Sequence, residues 1–441
     1  MNSPIAQSAD KHIFNTYARY PLALVNGWWS VYRAPTLLVR TDNARRAIAD
    51  RSVLRGALLD RNEQPLSMTT GQPGSFQRQS LHPALSPILG YNHPIYGQSG
   101  LEASLDPSLR GTQGHSAWRT AWEHLRTGFS PPGLDVRLSL DLTTQAAADA
   151  LLDGQKAALV LINAENGEIL VMSSHPNFNP NTLEADWERL MLSKDAPFLN
   201  RAAQAVYPLG AAAAPFLLAG TVDAAQLPAL PEDLGSCTPG SESAVVPATW
   251  GEALAAGCSG AAAALARTLG SETVQAIYEE AGFFALHPIL LPVKAGLPVP
   301  AGGSAEAIAL NASLSPLNLA VAAASISAQG TRPQPLLALG LRLPGEAWQS
   351  FTSYQPGEAV FSPRAAQDTM RLLADPFHLA WHTVAVILPE EADQTAYTWF
   401  VGGSSPGWQG SPLALALVIE GNQPDLALRT GLQVLQTAMQ P

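Results

Sequence analysis

A pair of short apolar runs around an Asn-Gly turn is the feature that most constrains how this chain folds. Residues 157–162 (AALVLI) and 168–172 (EILVM) flank the segment 163–167 (NAENG). Turn residues of this kind between two apolar runs are typical of a β-hairpin. Two more apolar runs near the C-terminus, at 397–401 and 413–419, predict further strands.

Predicted helices separate these strands. Upstream of the hairpin, alternating apolar residues over 136–140 predict a half-buried strand, and residues 143–152 (TTQAAADALL) predict a helix. The Ala-rich middle predicts four helices, near 211–226, 249–269, 271–282 and 316–328, and the chain closes with a helix over 424–438. This order predicts an α+β fold in which an antiparallel sheet is flanked by helices.

A Pro/Gly-rich linker divides the chain. Ser130-Pro131-Pro132-Gly133 interrupts regular structure, and the 441 residues are enough for two or three domains. Residues before the linker are mixed and rich in turns, so we expect a smaller N-terminal domain there. The strand, helix and hairpin pattern begins directly after it.

The charge balance excludes two classes of partner. The chain carries 25 Lys and Arg against 36 Asp and Glu, a formal net charge of −11. Nucleic acid and anionic membrane surfaces attract basic patches, so we expect binding to neither. Charged residues make up 14% of the chain, against about 25% in ordinary soluble proteins, and Pro and Gly number 36 and 35. This composition excludes a charged disordered chain and a coiled coil.

The N-terminal region has no apolar run of the length that a membrane span needs, which is about 18 residues. The best candidate, residues 21–31 (PLALVNGWWSV), is short and contains Asn26, and it lacks the pattern of a secretory signal. Two interpretations follow: the chain is cytosolic, or it depends on an anchor that is missing or external. The cluster Trp28, Trp29 and Tyr32 is interpreted as a membrane-interface foot or as a core contact of the N-terminal domain.

Several segments together resemble the transpeptidase domain of class B penicillin-binding proteins, the enzymes that cross-link peptidoglycan. They occur in the family's order: 138–145 (LSLDLTTQ), 157–174 (AALVLINAENGEILVMSS), 176–181 (PNFNPN), 200–202 (NRA), 207–210 (YPLG), 252–258 (EALAAGC), 315–320 (SPLNLA), 330–335 and 399–402 (WFVG). Each is weak alone, and their ordered occurrence carries the resemblance.

The N-terminal region resembles the family's non-catalytic domain, which we call the pedestal. The matching segments are 43–46 (NARR), 55–56 (RG), 60–62 (DRN), 90–91 (GY) and 96–102 (YGQSGLE). The resemblance implies an N-terminal segment over 1–39, a pedestal over 40–130 and a transpeptidase-like domain over 134–441. It also implies a location at the extracytoplasmic face of the cytoplasmic membrane, with membrane association only through a missing or external anchor.

Acyl transfer in this family needs a serine nucleophile at a helix start and a lysine three residues later, one turn along the same face. The resemblance places these positions at Ala211 and Ala214. A methyl group neither attacks a carbonyl carbon nor moves a proton. The chain has four lysines, Lys11, Lys156, Lys194 and Lys294, and only Lys11 has a serine three residues before it. That pair, Ser8 and Lys11, lies in a polar N-terminal segment, and we interpret it as a chance match.

The two other catalytic elements of the family are also absent. The Ser-x-Asn element corresponds to Gly257 and Ser259, with Cys258 between them. The Lys-Thr-Gly strand should precede Trp399, yet no lysine follows Lys294, and the register places its lysine at Ile387. The sequence therefore predicts a family member without catalytic residues.

Three groups of reactive residues leave alternatives open. Cys258 is either a substitute nucleophile or a structural residue, and Cys237 and Cys258 are close enough in sequence to close one loop as a disulfide. His378 and His382 are spaced to share a helix face and a metal ion, although Pro376 and Trp381 favour a strand or turn with ordinary histidines. The acidic residues Glu390, Glu391 and Asp393 are either a catalytic pair or a solvated loop, and we predict no metal and no cofactor.

The functional hypothesis is a non-catalytic penicillin-binding-protein homologue that acts as a scaffold or regulator of peptidoglycan synthesis, in cell division or cell shape. The resemblance implies cell-wall partners: a membrane glycosyltransferase, an active class B paralogue, or peptidoglycan itself. One alternative is a cleft that binds stem peptides or β-lactams without a covalent bond. A second alternative is an acyltransferase that uses residues not recognised here.

Overall fold

The structure is a computed structural model. It describes the backbone of 22–25 and 28–31, and residues 53–127, 131–238, 246–300, 302–343, 345–351, 355–375, 377–389 and 395–440, apart from five side chains in the helix Ala117–Thr127. The pair Ser8 and Lys11, the side chains of Trp28 and Trp29, and Tyr32 lie outside the described residues, as do Glu390, Glu391 and Asp393.

The strands of the described residues are numbered in chain order. They are β1 (Leu22–Val25), β2 (Trp28–Val31), β3 (Leu58–Leu59), β4 (Pro65–Thr70), β5 (Gln77–Ser80), β6 (Asn92–His93), β7 (Gly97–Gln98), β8 (Asp135–Leu138), β9 (Ala157–Asn163), β10 (Ile169–His175), β11 (Tyr207–Pro208), β12 (Ser313–Leu314), β13 (Thr331–Arg332), β14 (Ala338–Arg342), β15 (Gln349–Ser350), β16 (Glu358–Ala359), β17 (Ala380–Ile387), β18 (Tyr397–Ser404) and β19 (Leu413–Glu420).

The α-helices of the same residues are α1 (Ser86–Leu89), α2 (Gly100–Ser104), α3 (Asp106–Leu109), α4 (Ala117–Thr127), α5 (Leu142–Leu151), α6 (Leu183–Met191), α7 (Ala214–Asp223), α8 (Trp250–Ala255), α9 (Ser259–Leu269), α10 (Ser271–Glu280), α11 (Ala305–Asn311), α12 (Pro316–Ser327), α13 (Pro363–Leu372) and α14 (Pro424–Ala438). Short 3₁₀ turns cover Pro83–Leu85, Pro180–Thr182 and Gly210–Ala213.

Within the described part of the chain, the central sheet has the order β10-β9-β19-β18-β17, and every neighbouring pair is antiparallel. Every residue of β9 and β10 is buried, because helices cover both faces. Helix α12, buried along its whole length, packs on one face, and α5 and α14 pack on the other. The predicted α+β fold with an antiparallel sheet flanked by helices is therefore confirmed.

The Asn-Gly hairpin forms where the sequence predicts it. Asn163 Oδ1 accepts a hydrogen bond from Glu165 N at 3.0 Å, and Asn166 Oδ1 accepts one from Glu168 N at 3.0 Å. Gly167 has a φ of +79°, and its missing Cβ would lie 1.9 Å from Gln334 O. Only glycine fits this combination of left-handed backbone and close approach.

A second sheet joins the two sides of the predicted linker. Its order in the described residues is β15-β14-β8-β3-β4-β5, so strands after Gly133 extend a sheet that begins near Leu58. Helices α1 to α4 lie in the region that the sequence characterises as mixed and rich in turns. The division into 1–39, 40–130 and 134–441 stays a prediction.

One predicted helix is two helices in the structure. The Ala-rich pattern over 249–269 predicts continuous helix, whereas α8 ends at Ala255 and α9 begins at Ser259. Gly257 between them has a φ of +58°, a left-handed conformation that ends a helix. This break positions the loop that forms one wall of the site described next.

None of the helices in the described residues combines the length and apolar character that crossing a bilayer requires.

Candidate functional site

The turn before α7 is fixed by contacts from two sides. Leu209 N donates to Ala312 O at 2.8 Å, and Trp399 Nε1 donates to Pro208 O at 2.7 Å. Gly210 then adopts a φ of +52° and starts the 3₁₀ turn that leads into α7. The backbone path at the start of this helix is therefore held by the surrounding fold, although the turn itself carries only glycine and alanine.

Ala211 and Ala214 lie at this turn, where the resemblance places the nucleophile and its lysine. The side chain of Ala211 is 5% exposed, and Ala214 is fully buried. The three lysines among the described residues, Lys156, Lys194 and Lys294, are all exposed, and Lys156 pairs with Asp195 at 2.6 Å. The 3₁₀ turn and the helix start form at the position that the resemblance implies, but the two side chains offer no polar atom.

The break between α8 and α9 brings Gly257 against the edge strand β17. A Cβ at Gly257 would lie 2.3 Å from Val384 O and 2.8 Å from Ala385 Cα. Both atoms belong to backbone, which cannot move aside as a flexible side chain can. The loop and the strand are therefore in direct backbone contact, with no room for a side chain at position 257.

Ile387 lies close to this contact, at the end of the same strand. It is the last residue of β17, and its Cγ1 would lie 2.6 Å from a Cβ at Gly210. The 3₁₀ turn Gly210–Ala213 contacts both β17 and α9. The fold thus gathers Ala211, Gly257 and Ile387 around one short stretch of β17.

A segment that sequence reasoning did not assign crosses this site. We call residues 234–238 the strap. Its backbone is bound to the start of α9, since Gly260 N donates to Leu234 O at 2.8 Å and Ser259 N donates to Ser236 O at 2.8 Å. Cys237 and Cys258 are joined as a disulfide, which links the strap to the loop between α8 and α9. Neither cysteine is a free thiol, so neither is available as a nucleophile.

Ser259 points into the strap. Its Oγ accepts a hydrogen bond from Ser236 N at 3.0 Å and lies 2.9 Å from Ser236 Oγ. Its partners are therefore backbone and hydroxyl groups. A serine needs a neighbouring base to become a nucleophile, and these contacts supply none.

Thr238 occupies the hydrogen-bonding positions of the edge strand. Its Oγ1 donates to Val384 O at 2.9 Å and accepts from Val386 N at 3.2 Å. Edge strands ordinarily present such groups to solvent or to an added strand. In this chain a side chain from the strap satisfies both of them.

Replacement of Thr238 by valine is expected to lower the free energy of unfolding by about 1–2 kcal/mol. The shape of the side chain is kept, while Val384 O and Val386 N lose their partner at a partly buried position. Thr437→Val is the matched control, because the hydroxyl of Thr437 donates to Gln433 O on the exposed side of α14. Urea unfolding of both variants measures the difference, and equal costs would contradict this role for Thr238.

Two histidine clusters offer chemistry that the site does not use. On the opposite side of the fold, Asp149 Oδ1 accepts from Ser173 Oγ at 2.5 Å and lies 3.2 Å from His175 Nε2. In this buried cluster the aspartate lies between serine and histidine, so the histidine is not positioned to take the serine proton. The composition resembles a catalytic triad, but the order of contacts does not.

His378 and His382 do not share a helix face. His378 lies in a bend and His382 on β17, and their Nδ1 atoms lie 3.0 Å and 4.0 Å from different oxygens of Asp375. Burial lowers the pKa of His382, and the neighbouring Asp375 opposes this shift. In the part of the chain that the structure describes, no group of three or more His, Cys, Asp or Glu is arranged to hold a metal ion.

Comparison with known proteins gives this geometry a family context. Residues 157–375 match the penicillin binding protein transpeptidase domain. The peptidoglycan D,D-transpeptidase PbpA of Mycolicibacterium smegmatis is 28% identical over 378 residues, which cover 76% of this chain and 75% of that protein. The chain belongs to the class B penicillin-binding protein family.

Other members share less of the sequence or only the fold. The peptidoglycan D,D-transpeptidase MrdA of Acinetobacter baumannii is 36% identical over 131 residues, so the match spans 27% of this chain and 20% of that protein. The penicillin G acyl-enzyme complex of penicillin-binding protein A from Mycobacterium tuberculosis superposes with a TM-score of 0.77 at 24% identity, covering 88% of this chain and all of that chain. The fold of that protein is thus present over most of this chain, and Ala211 and Ala214 lie within the residues that match the transpeptidase domain.

Proposed function

We propose that this chain is a non-catalytic class B penicillin-binding protein that serves as a scaffold or regulator in peptidoglycan synthesis. One observation carries the proposal: alanine occupies both positions at which the family's nucleophile and lysine stand, on a helix start that is otherwise kept. Acyl transfer needs an activated nucleophile, and a methyl group supplies none.

The surroundings of the site support the same conclusion. Two hydroxyl groups among the described residues beside the family's second element, those of Ser259 and Thr238, are engaged by Ser236 and by the backbone of β17. Both cysteines are in a disulfide. Tyr207 also lies next to this turn, and burial together with the nearby Glu420 raises the pKa of its phenol, which therefore keeps its proton at neutral pH.

Binding of a strand-like ligand along β17 is less well supported. A stem peptide or β-lactam that adds to an edge strand needs free backbone donors and acceptors. The hydroxyl of Thr238 is hydrogen-bonded to Val384 O and Val386 N, and Gly257 lies against the same stretch of strand. We therefore favour the scaffold role over non-covalent ligand binding in the cleft.

The proposed setting follows from the family. Its relatives include enzymes named peptidoglycan D,D-transpeptidases, and we propose that this chain works beside such an active paralogue or a membrane glycosyltransferase at the extracytoplasmic face of the cytoplasmic membrane. A non-catalytic member can act there by holding partners in place. It needs a binding surface rather than a reactive cleft.

The decisive experiment is intact-protein mass spectrometry after incubation with penicillin G. We expect no increase in mass for this chain, whereas penicillin-binding protein A of Mycobacterium tuberculosis, whose penicillin G acyl-enzyme is known, provides the labelled control. The reason is that, among the residues of the site that the structure describes, no serine or cysteine has a base beside it. A stoichiometric penicilloyl adduct would overturn the proposal, and peptide mapping would identify the nucleophile.

A further inference from the structure

Helix α4 (Ala117–Thr127) stands out as an exposed helix of the N-terminal region. Its six described side chains are all exposed: Trp118, Arg119, Ala121, Trp122, Leu125 and Arg126. The large apolar ones are the most unusual, with Trp118 74% exposed, Trp122 51% and Leu125 80%. Single exposed apolar residues are common on protein surfaces, but a contiguous group of this size marks an interaction site.

The helix is too short to be stable on its own propensity. It has 11 residues, whereas isolated helices shorter than about 12–15 residues are marginal in water. Most short helices are stabilised by burying an apolar face, and the described side chains of α4 bury none in this chain. A covering surface would supply the missing burial.

The apolar residues form a narrow stripe with coiled-coil spacing. Trp118, Trp122 and Leu125 follow each other at intervals of four and three residues, which corresponds to heptad positions d, a and d. At 100° per residue they fall within a sector of roughly 60°. The rings of Trp118 and Trp122 are stacked with centroids 6.0 Å apart, so the two indoles present one continuous ridge.

Positive charge lines one side of this stripe. Arg119 and Arg126 each follow a d residue directly, so both stand at heptad position e. In a coiled coil, a residue at this position faces the flanking charged residues of the partner helix. Arg119 pairs with Glu346 at 3.0 Å, and both side chains are nearly half exposed. Such surface pairs contribute about 0–1 kcal/mol, so Arg119 can exchange this partner for another carboxylate.

We propose that the stripe of α4 docks an amphipathic helix of a partner protein that carries acidic residues beside its apolar seam. The proposal rests on the proposed scaffold function and names the chemistry of the partner. Indole rings fill pockets between the apolar side chains of the facing helix and act as the main anchors. The two arginines select carboxylates at the positions that face them and fix the register.

Two other occupants fit less well. If the partner were a second copy of this chain in an antiparallel pair, the arginines Arg119 and Arg126 of the two helices would face each other. In a parallel pair, the arginine at position e would face Ala121 at position g, which offers no carboxylate. A bilayer surface is flat and suits an apolar face wider than about 100°, with Lys and Arg on the polar face. The narrow stripe favours a facing helix instead.

The test uses two designed 21-residue peptides and the full chain. Both peptides carry Leu at positions a and d, and they differ only in having Glu or Lys at positions e and g. Fluorescence anisotropy of labelled peptides is expected to show binding of the Glu peptide that is at least about ten-fold tighter than binding of the Lys peptide. Hydrogen exchange should show new protection of the α4 amides with the Glu peptide.

Two variants separate the apolar and charged contributions. W118S/W122S should abolish binding of the Glu peptide, and R119E/R126E should reverse the preference in favour of the Lys peptide. Matched controls are Phe377→Ser, which removes an aromatic side chain that is 89% exposed elsewhere, and Arg364→Glu on α13. Thermal melts of all variants should match the parent chain, because the altered side chains are exposed.

Three outcomes would overturn the proposal: binding of neither peptide, equal binding of both, or binding of α4 to phosphatidylcholine–phosphatidylglycerol vesicles without binding of the Glu peptide. Its failure is distinguishable from failure of the proposed function, since a penicillin G adduct tests the site at Ala211 and does not depend on α4. If the chain formed a penicillin G adduct and still bound the Glu peptide, the non-catalytic role would be wrong and the docking surface would stand.

Discussion

Replacement of Gly257 by serine is expected to destabilise the fold by about 3 kcal/mol and to produce no penicillin adduct. The resemblance places the serine of the family's second catalytic element at this position, so the substitution introduces the hydroxyl group that this chain lacks there. In this chain the new Cβ would lie 2.3 Å from Val384 O, and the backbone has a φ of +58°. The side chain would therefore push the loop away from β17 before its hydroxyl met any substrate.

Gly154→Ser provides the matched control for this prediction. Gly154 has a φ of +73°, and a Cβ there would meet no atom within 4 Å. Its substitution measures the cost of the left-handed backbone alone, about 1–2 kcal/mol. Chemical denaturation of the two variants should show a larger loss at position 257, and equal losses would mean that the loop does not press against the strand.

Replacement of Glu102 by glutamine is expected to lower the free energy of unfolding by about 3–5 kcal/mol. Glu102 is 1% exposed and joins two buried arginines, with its Oε2 accepting from Arg55 Nε at 2.7 Å and its Oε1 accepting from Arg78 Nε at 2.7 Å. Glutamine keeps the shape but removes the charge. Arg55 would keep the carboxylate of Asp106, which also pairs with Arg110, whereas Arg78 would lose its ion pair with Glu102.

Glu306→Gln is the control for this change, since Glu306 pairs with Arg267 at an exposed position. Its effect should stay within about 0.5 kcal/mol. Urea unfolding at pH 7 measures both variants. A loss at Glu102 as small as that at Glu306 would mean that the buried arginines find other partners.

The effect of Glu102 also depends on pH in a defined direction. Burial alone would raise the pKa of this carboxyl, but Arg78 and Arg55 outweigh it and hold the pKa below the ordinary value of 4.5. Its contribution is therefore complete above pH 4.5 and is lost as the pH falls through the lower pKa of the folded state. The difference between the parent chain and Glu102→Gln should shrink over that acidic range.

Much of the central sheet could be predicted because its signals are local. The hairpin over β9 and β10, the last two strands and the helix α14 each follow from apolar runs, turn residues or helical periodicity within a short window. The break between α8 and α9 escaped prediction, since an Ala-rich stretch has a high helix propensity on both sides of Gly257. The contact with Val384 that fixes the break lies more than a hundred residues away in the chain.

The candidate site also combines features that can be read from the sequence with contacts that depend on the fold. The identities of the residues at 211, 214, 257, 259 and 387, and the absence of lysine after Lys294, are properties of the sequence that no folding can change. The strap could not be recognised, because nothing in residues 234–238 indicates that Thr238 will meet an edge strand 146 residues later. The exposed stripe of α4 was missed for a related reason, since periodicity shows an amphipathic face but not whether the fold covers it.

The sequence by itself therefore determined the family, the α+β class and the chemical groups that are available, because side-chain chemistry and short-range periodicity are written directly in the order of residues. The tertiary structure decided how those groups are used. Thr238 hydrogen-bonds to β17, Gly257 packs against Val384 O, and Glu102 accepts hydrogen bonds from two buried arginines. Each of these is a close approach between distant segments. Such contacts depend on the packing of the whole chain, where the cost of an unsatisfied backbone group or an unpaired buried charge selects one arrangement.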